Sequence, residues 1–519
     1  LDISYLKTRK EVLDEMNGTM ASNTVNLFFR PGEEGRRFDW ISSYEKKLVG
    51  LCSRPFCGLC DLSERDKLKE FRGGELEVTL IFIQSPSIFE ERGYFLAHLV
   101  AVPEQEVRID EGIEVDLPET SNTFIFSTPQ GSILIDPGGD PESRHDPEII
   151  RSFRGIVSSR EIGATIISHA HQDHWCLMEH VEKGPIFLSS ICRHFAARTA
   201  AIERSDRFLW ALRRAEAYSP GDPIILRNNL PVKIDTISLP HSVPETAGII
   251  IQGPRKRVVY LGDFKLTGMY PLSKAKTVKE LREVAEERVD LLVFNAINSH
   301  VEGFTPIESL SVDSMTDIII EAWGRVIYTS FSSNLERIRR VVDIARLLGK
   351  RVAFVGAGMK SASKLIGVDE EGQVDDASVI FVTGCQGEKG SVLWRIIEQA
   401  ESPLKLLSSD TLVFSSRTIP GYEEKMRVYY RSLRPFVGRM ILNKREIQSL
   451  GLQSLGAEER LVHVSGHGSR EDYRLAMEIL RPKAILPWPQ QDLFIEPIRR
   501  IAENLRIEIL PDTERIIEI

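Results

Sequence analysis

The sequence predicts an α/β protein whose short buried strands each deliver a polar motif at their ends. Three observations predict it. Apolar runs at Ser132 to Ile135, Ala164 to Ile167 and Val258 to Leu261 precede Asp136, His169 and Asp263, and runs of that length bounded by polar text read as strands. From about residue 310 to 442 strands alternate with amphipathic helices, as where Arg325-Val326-Ile327-Tyr328 leads to a helix beginning near Asn334, the pattern of a parallel βαβ module. That helix places Leu335, Ile338, Val342, Ala345 and Leu348 on one side and stops at Gly349, after which Arg351 to Val355 resumes a strand.

With 519 residues the chain is long enough for two or three domains, each burying its own core. At 42% hydrophobic and 27% charged it reads as globular. No apolar run is long enough to cross a bilayer, and Leu1 to Lys10 lacks the apolar stretch of a secretory signal, so the cytoplasm is the expected location and no membrane the expected partner. A net charge of −9 excludes a chain basic all over while allowing a local basic channel. The first 75 or so residues read as an N-terminal extension, closed by Gly73-Gly74 before strand text at Leu76 to Ile81. Within it Cys52, Cys57 and Cys60 form a Cys-x4-Cys-x2-Cys cluster with no evident fourth ligand. It reads as part of a zinc site, as unrelated thiols, or as a disulfide in a heat-adapted organism.

The segment His169-Ala170-His171-Gln172-Asp173-His174 places three imidazoles and a carboxylate within one turn after a strand. Such a turn can aim His169 and His171 at one divalent ion and Asp173 and His174 at a neighbour, with His241 and Asp263 as further ligands and Asp263 able to bridge. Asp136, in Leu134-Ile135-Asp136-Pro137-Gly138-Gly139, would orient a ligand from behind. Surface histidines in a polar turn are the plain alternative. Against it, six of the 11 histidines (His169, His171, His174, His241, His463 and His467) fall in motifs of this kind. An incomplete protein shell leaves coordination positions for water, which points to hydrolysis.

In this order, Asp136, the His-x-His-x-Asp-His box, His241 and Asp263 resemble the successive metal motifs of the metallo-β-lactamase fold, and within it the β-CASP nucleases of the RNase J type. The likeness continues through His241-Ser242-Val243-Pro244-Glu245-Thr246-Ala247-Gly248-Ile249, Gly262-Asp263-Phe264-Lys265, Glu302-Gly303-Phe304-Thr305, Ser330-Phe331-Ser332-Ser333-Asn334, Thr383-Gly384-Cys385-Gln386-Gly387-Glu388, Thr418-Ile419-Pro420-Gly421 and His463-Val464-Ser465-Gly466-His467-Gly468. The resemblance implies an αββα sandwich at 76–309 and 443–519, interrupted by a β-CASP α/β domain at 310–442 and preceded by the extension at 1–75. It implies two divalent metals, zinc first and manganese as the alternative, and a metal-dependent phosphodiesterase acting on single-stranded RNA by endonuclease and 5'-to-3' exonuclease action. A homodimer is a further expectation. Asp173, Asp263 and His467 would carry the chemistry, while Ser332, Ser333, Asn334, His463, Ser465 and His467 would hold substrate phosphates. Helix starts supply a physical reason for that grip, since free N–H groups and hydroxyls near Asn334 and near Ser469 and Asp472 can hold an anion. Plain helix capping is the competing reading.

The pattern fails at two positions. Where the family has an acidic residue the chain reads Phe294-Asn295-Ala296-Ile297-Asn298, and where a histidine should follow Leu486-Pro487-Trp488 the chain has Pro489, Gln490 and Gln491. Asn295 lacks the charge and Pro489 lacks a ligand atom, so the second metal site is expected to be weaker, unless Gln490, Gln491 or Glu245 substitutes. The missing histidine is shared with Artemis-like DNA nucleases, which makes DNA the alternative substrate. Both losses together motivate another reading, a catalytically impaired nucleic-acid-binding or assembly subunit. A small-molecule lactamase or thioesterase would leave the inserted module idle. Arg337-Ile338-Arg339-Arg340 reads as a nucleic-acid path or as a solvated helix face.

Overall fold

The computed structural model describes residues 122–519, apart from 369–373, 375–377, 420 and 512–515, and before residue 122 the backbone of four strands. These strands, Thr24–Phe29, Phe95–Pro103, Leu76–Ile83 and Lys47–Leu51, form one sheet in that order. They lie in a compact unit, Leu1–Glu114, distinct from the unit Val115–Ile519. The strand at Leu76, expected to open the lactamase-like domain, therefore pairs inside the first sheet, because an apolar strand does not encode which sheet it joins. Cys52, Cys57 and Cys60 lie outside the described residues.

The second unit contains an αββα sandwich. One sheet runs Ile516–Glu518, Phe124–Thr128, Gly131–Ile135, Ile162–Ile166, Ile186–Leu188, Ala215–Ala217. The other runs Lys233–Ser238, Ala247–Gln252, Arg257–Gly262, Leu291–Asn295, Ala484–Trp488, Glu508–Ile509. Alternation along the strands explains the layers. Ile249, Ile251, Val258 and Tyr260 face the first sheet and pack with Phe124, Phe126, Ile133 and Ile166, whereas Ile250, Val259 and Leu292 face outward beneath the helices Arg470–Leu480 and Asp492–Leu505. Burial on both faces is why these strands read as unbroken apolar runs.

The inserted module is a six-stranded, all-parallel sheet ordered Val352–Val355, Val379–Val382, Val326–Thr329, Thr411–Phe414, Arg439–Leu442, Glu458–Glu459. Helices cover both faces, including Ser309–Glu321 and Leu335–Leu347 on one and Glu423–Leu433 on the other. The last strand lies beyond the expected end at 442, because a two-residue Glu-Glu strand at a sheet edge leaves no hydrophobic signal. Helix Leu335–Leu347 buries Leu335, Ile338, Val342 and Ala345 as their spacing predicts.

Candidate metal centre

Strand ends deliver the ligands. His169 follows Ile162–Ile166, His171 caps the 3-10 turn Gln172–His174, His241 follows Lys233–Ser238, and Asp263 follows Arg257–Gly262. The Nδ1 atom of His171 lies 3.1 Å from His169 Nε2 and 3.0 Å from His241 Nε2. Asp263 Oδ2 stands 3.8 Å from His169 Nε2 and 3.9 Å from His241 Nε2, and one ligand atom from each of the four residues falls within 4.8 Å of the others. On the adjoining side, His174 Nε2 lies 3.4 Å from Asp263 Oδ2 and 3.6 Å from Asp173 Oδ2. Asp263 thus faces both groups and would be shared by cations held there.

These residues fit a pair of divalent cations. Burial, reinforced by neighbouring imidazoles, holds His169 and His241 well below the usual histidine range, and burial takes His171 down to about 4. All three are therefore neutral imidazoles, the form that ligates. Burial opposes a proton on His174, yet Asp263, Asp173 and Asp136 overcome it and raise that residue well above its ordinary value, so the pocket favours a positive charge there. His174 Nε2 and Asp263 Oδ1 are buried with no hydrogen-bond partner among the described residues. Buried polar atoms rarely stay unpaired, and a cation would satisfy both.

A second layer orients the ligands. His174 Nδ1 donates to Asp136 Oδ2 at 2.9 Å, which turns Nε2 toward the cluster. Asp136 also accepts from Ser168 N at 2.7 Å, Ser168 Oγ at 2.6 Å and Tyr260 Oη at 2.7 Å. His241 Nδ1 donates to the Gly466 carbonyl at 2.8 Å. Two glycines allow the close approaches. A Cβ on Gly138 would stand 1.9 Å from the Asp173 carbonyl oxygen, and one on Gly466 would stand 2.8 Å from His241 Cε1.

The segment His463 to His467 reaches the same centre. His467 Nε2 lies 3.6 Å from Asp263 Oδ2 with the side chain 26% exposed. Ser465 Oγ accepts from Asn298 Nδ2 at 2.8 Å and from His467 N at 3.1 Å. His463 points elsewhere, accepting from Arg337 Nη1 at 2.8 Å, and burial with Arg337 keeps it uncharged. Ser332 and Ser333 are half-buried, and neither hydroxyl has a partner among the described residues. Asn334 is buried, and with its amide oriented by its partners it donates to the Ser242 carbonyl at 3.1 Å and accepts from Arg337 at 3.2 Å. It therefore ties the serine turn to the loop after His241. A capping box starts the helix Arg470–Leu480, with Ser469 N donating to Asp472 Oδ2 at 2.9 Å.

Several residues are placed differently from expectation. Arg337 does not line an open path: it is fully buried and paired with Glu308, because a helix position facing the core keeps a cation only when a carboxylate meets it. Arg339 and Arg340 are on the surface beside Asp343. Glu245 accepts from Ser190 Oγ and Ile191 N, Gln490 Nε2 donates to the carbonyls of Pro487 and Leu510, and Gln491 is exposed before the helix Asp492–Leu505. Asn295 Oδ1 accepts from Ile297 N. Sequence reasoning missed Asn122, Ser168, Tyr260, Lys265 and Glu308. Of these only Lys265 and Ser168 carried a signal, adjoining Asp263 and His169 in the motifs.

Layered fold and ligand set together define a metallo-β-lactamase-type domain, and residues 132–302 match the beta-lactamase superfamily domain. Residues 323–431 match the ribonuclease J beta-CASP domain, so the two matched segments together resemble the β-CASP branch of that superfamily. It is 30% identical over 349 residues to ribonuclease J of Sinorhizobium meliloti, covering 63% of this chain and 57% of the relative. It is 28% identical over 358 residues to ribonuclease J of Thermus thermophilus, covering 64% and 59%, and 29% identical over 262 residues to ribonuclease J2 of Bacillus subtilis, covering 48% and 44%. The chain thus spans less than two thirds of the length of these curated relatives. A protein of unknown function from Enterococcus faecalis shares the fold, with TM-score 0.52 and 13% identity over 76% of this chain and 95% of that one. No helix among the described residues is long and apolar enough to cross a membrane.

Proposed function

We propose that this chain is a metal-dependent phosphodiesterase that hydrolyses single-stranded RNA, by endonucleolytic and 5'-to-3' exonucleolytic cleavage. The observation that carries the reading is the convergence of His169, His171, His241, Asp173, His174 and Asp263 beside His467. Two divalent cations, zinc with manganese as the alternative, would supply Lewis acidity and a water acidified toward neutral pH. His169, His171 and His241 would hold one, and Asp173 and His174 the other, with Asp263 shared.

The chain's own groups do the rest. Asp173 orients the attacking water and accepts its proton. His467, half-open beside Asp263, donates to the leaving oxygen. Ser332, Ser333, Asn334, His463 and Ser465 position neighbouring phosphates, with the free hydroxyls of Ser332 and Ser333 making direct contact and His463 and Asn334 acting through the loops they fasten. Asp136 acts through His174. A cytoplasmic location and a homodimer accompany the reading.

Pro489 favours a second reading, a DNA nuclease of the Artemis-like type. Cleavage of 5'-phosphorylated, end-labelled RNA and same-sequence DNA with Zn2+ or Mn2+ tests both, with Asp173→Ala as control. Products from RNA that are lost at least 10³-fold in the folded variant are expected. Preference for DNA would overturn the RNA assignment. No products from well-folded, metal-loaded protein would leave an assembly subunit in its place.

A further inference from the structure

Asp173 differs from the other carboxylates of the centre. Its side chain is 44% exposed, against 3% for Asp263, so packing alone does not fix its rotamer. Asn122 does. Its Nδ2 donates to Asp173 Oδ2 at 3.0 Å and to the Asp173 backbone carbonyl at 3.1 Å, while its Oδ1 accepts from Trp488 Nε1 at 3.3 Å. The amide orientation is set by the partners, since an indole N–H only donates and a carboxylate and a carbonyl only accept. Trp488 is itself buried, stacked on Tyr260 at 5.7 Å and tilted against Phe124 at 4.7 Å. Tyr260 in turn donates to Asp136, the carboxylate that orients His174. One aromatic group therefore braces both Asp173 and His174.

We infer that Asn122 and Trp488 form a clamp that positions the Asp173 carboxylate toward the second cation. Asn122 and Trp488 are positioning residues: neither touches the reacting atoms. Asp173 is the exposed carboxylate of the centre, and outer hydrogen-bond partners of metal ligands are typically worth 10–100-fold in affinity or activity. The clamp rests on the metal-centre reading proposed above, but its test does not depend on turnover.

Co2+ titration of the full chain, followed by visible absorption and by bound-metal analysis, separates the two equivalents. Asn122→Ala is expected to weaken the second equivalent about 10–100-fold and leave the first, held by His169, His171 and His241, unchanged. Trp488→Phe keeps one aromatic ring against Tyr260 and Phe124 but removes the N–H, and is expected to move the second equivalent the same way by a smaller factor. With RNA as substrate, kcat should fall in both variants at unchanged KM. Wild-type affinity for the second equivalent in folded Asn122→Ala protein would overturn the clamp even if RNA is cleaved. A shifted second equivalent in a chain that cleaves nothing would support the clamp and reject the nuclease reading.

Discussion

Replacing Glu308 by glutamine should loosen the joint between the inserted module and the loop that carries His463 to His467. Glu308 Oε1 accepts from Lys265 Nζ at 2.8 Å, and Oε2 accepts from Arg337 Nε at 2.9 Å and Nη2 at 2.8 Å. Lys265 and Arg337 are both 0% exposed. Lys265 also donates to the Ser465 carbonyl at 2.9 Å, and Arg337 to the Val464 carbonyl at 2.8 Å. Glutamine would leave two buried cations without a counter-charge. Burial works against the Glu308 charge, yet Arg337 and Lys265 hold its carboxyl at about 2 against an ordinary 4.5. At 1.36 kcal/mol per tenfold that difference is about 3 kcal/mol, in line with the ~3–5 kcal/mol typical for removing one partner of a buried ion pair. The sign follows from the depressed value: the contribution is complete above about pH 4.5 and is lost as pH falls toward 2. Native-state hydrogen exchange reads the effect locally. Amides of Leu335–Leu347 should exchange on the order of 10²-fold faster in Glu308→Gln than in wild type at pH 7, with a smaller gap near pH 3. Exchange within threefold of wild type at pH 7 would refute the idea that this charge cluster fastens the helix to the loop.

Gly138→Ala should displace the turn that carries Asp173, because the added methyl would meet the Asp173 carbonyl at 1.9 Å. We expect loss of the second metal equivalent by calorimetric titration and a lower melting temperature, and unchanged titration would count against that packing. Tyr260→Phe removes a 2.7 Å hydrogen bond to buried Asp136, which should cost about 1.5–3 kcal/mol because the acceptor is charged. Calorimetry should show an earlier transition together with weaker binding at His174, and a wild-type transition would show that Ser168 suffices to hold Asp136.

The sequence alone determined the candidate metal-binding residues and the strand-end positions that carry them. His169 to His174 are legible because six adjacent residues in one turn cannot be far apart, and His241 and Asp263 because apolar strands precede them in a recognisable order. The parallel module was legible for the same local reason, since period and capping specify a helix such as Leu335–Leu347 without help from distant residues. What lay beyond reach joins residues far apart in the chain. Asn122 meets Asp173 and Trp488 across 51 and 366 positions, and Glu308 gathers Lys265 and Arg337 into one buried cluster. The strand at Leu76 likewise joined a sheet its own text does not name. Local patterns fix which side chains stand at the end of an element, whereas the packing of sheets and module decides which of them share a hydrogen bond or a charge. The tertiary structure alone therefore decided that Arg337 is a buried strut, that His463 serves it, and that a tryptophan and an asparagine brace Asp173.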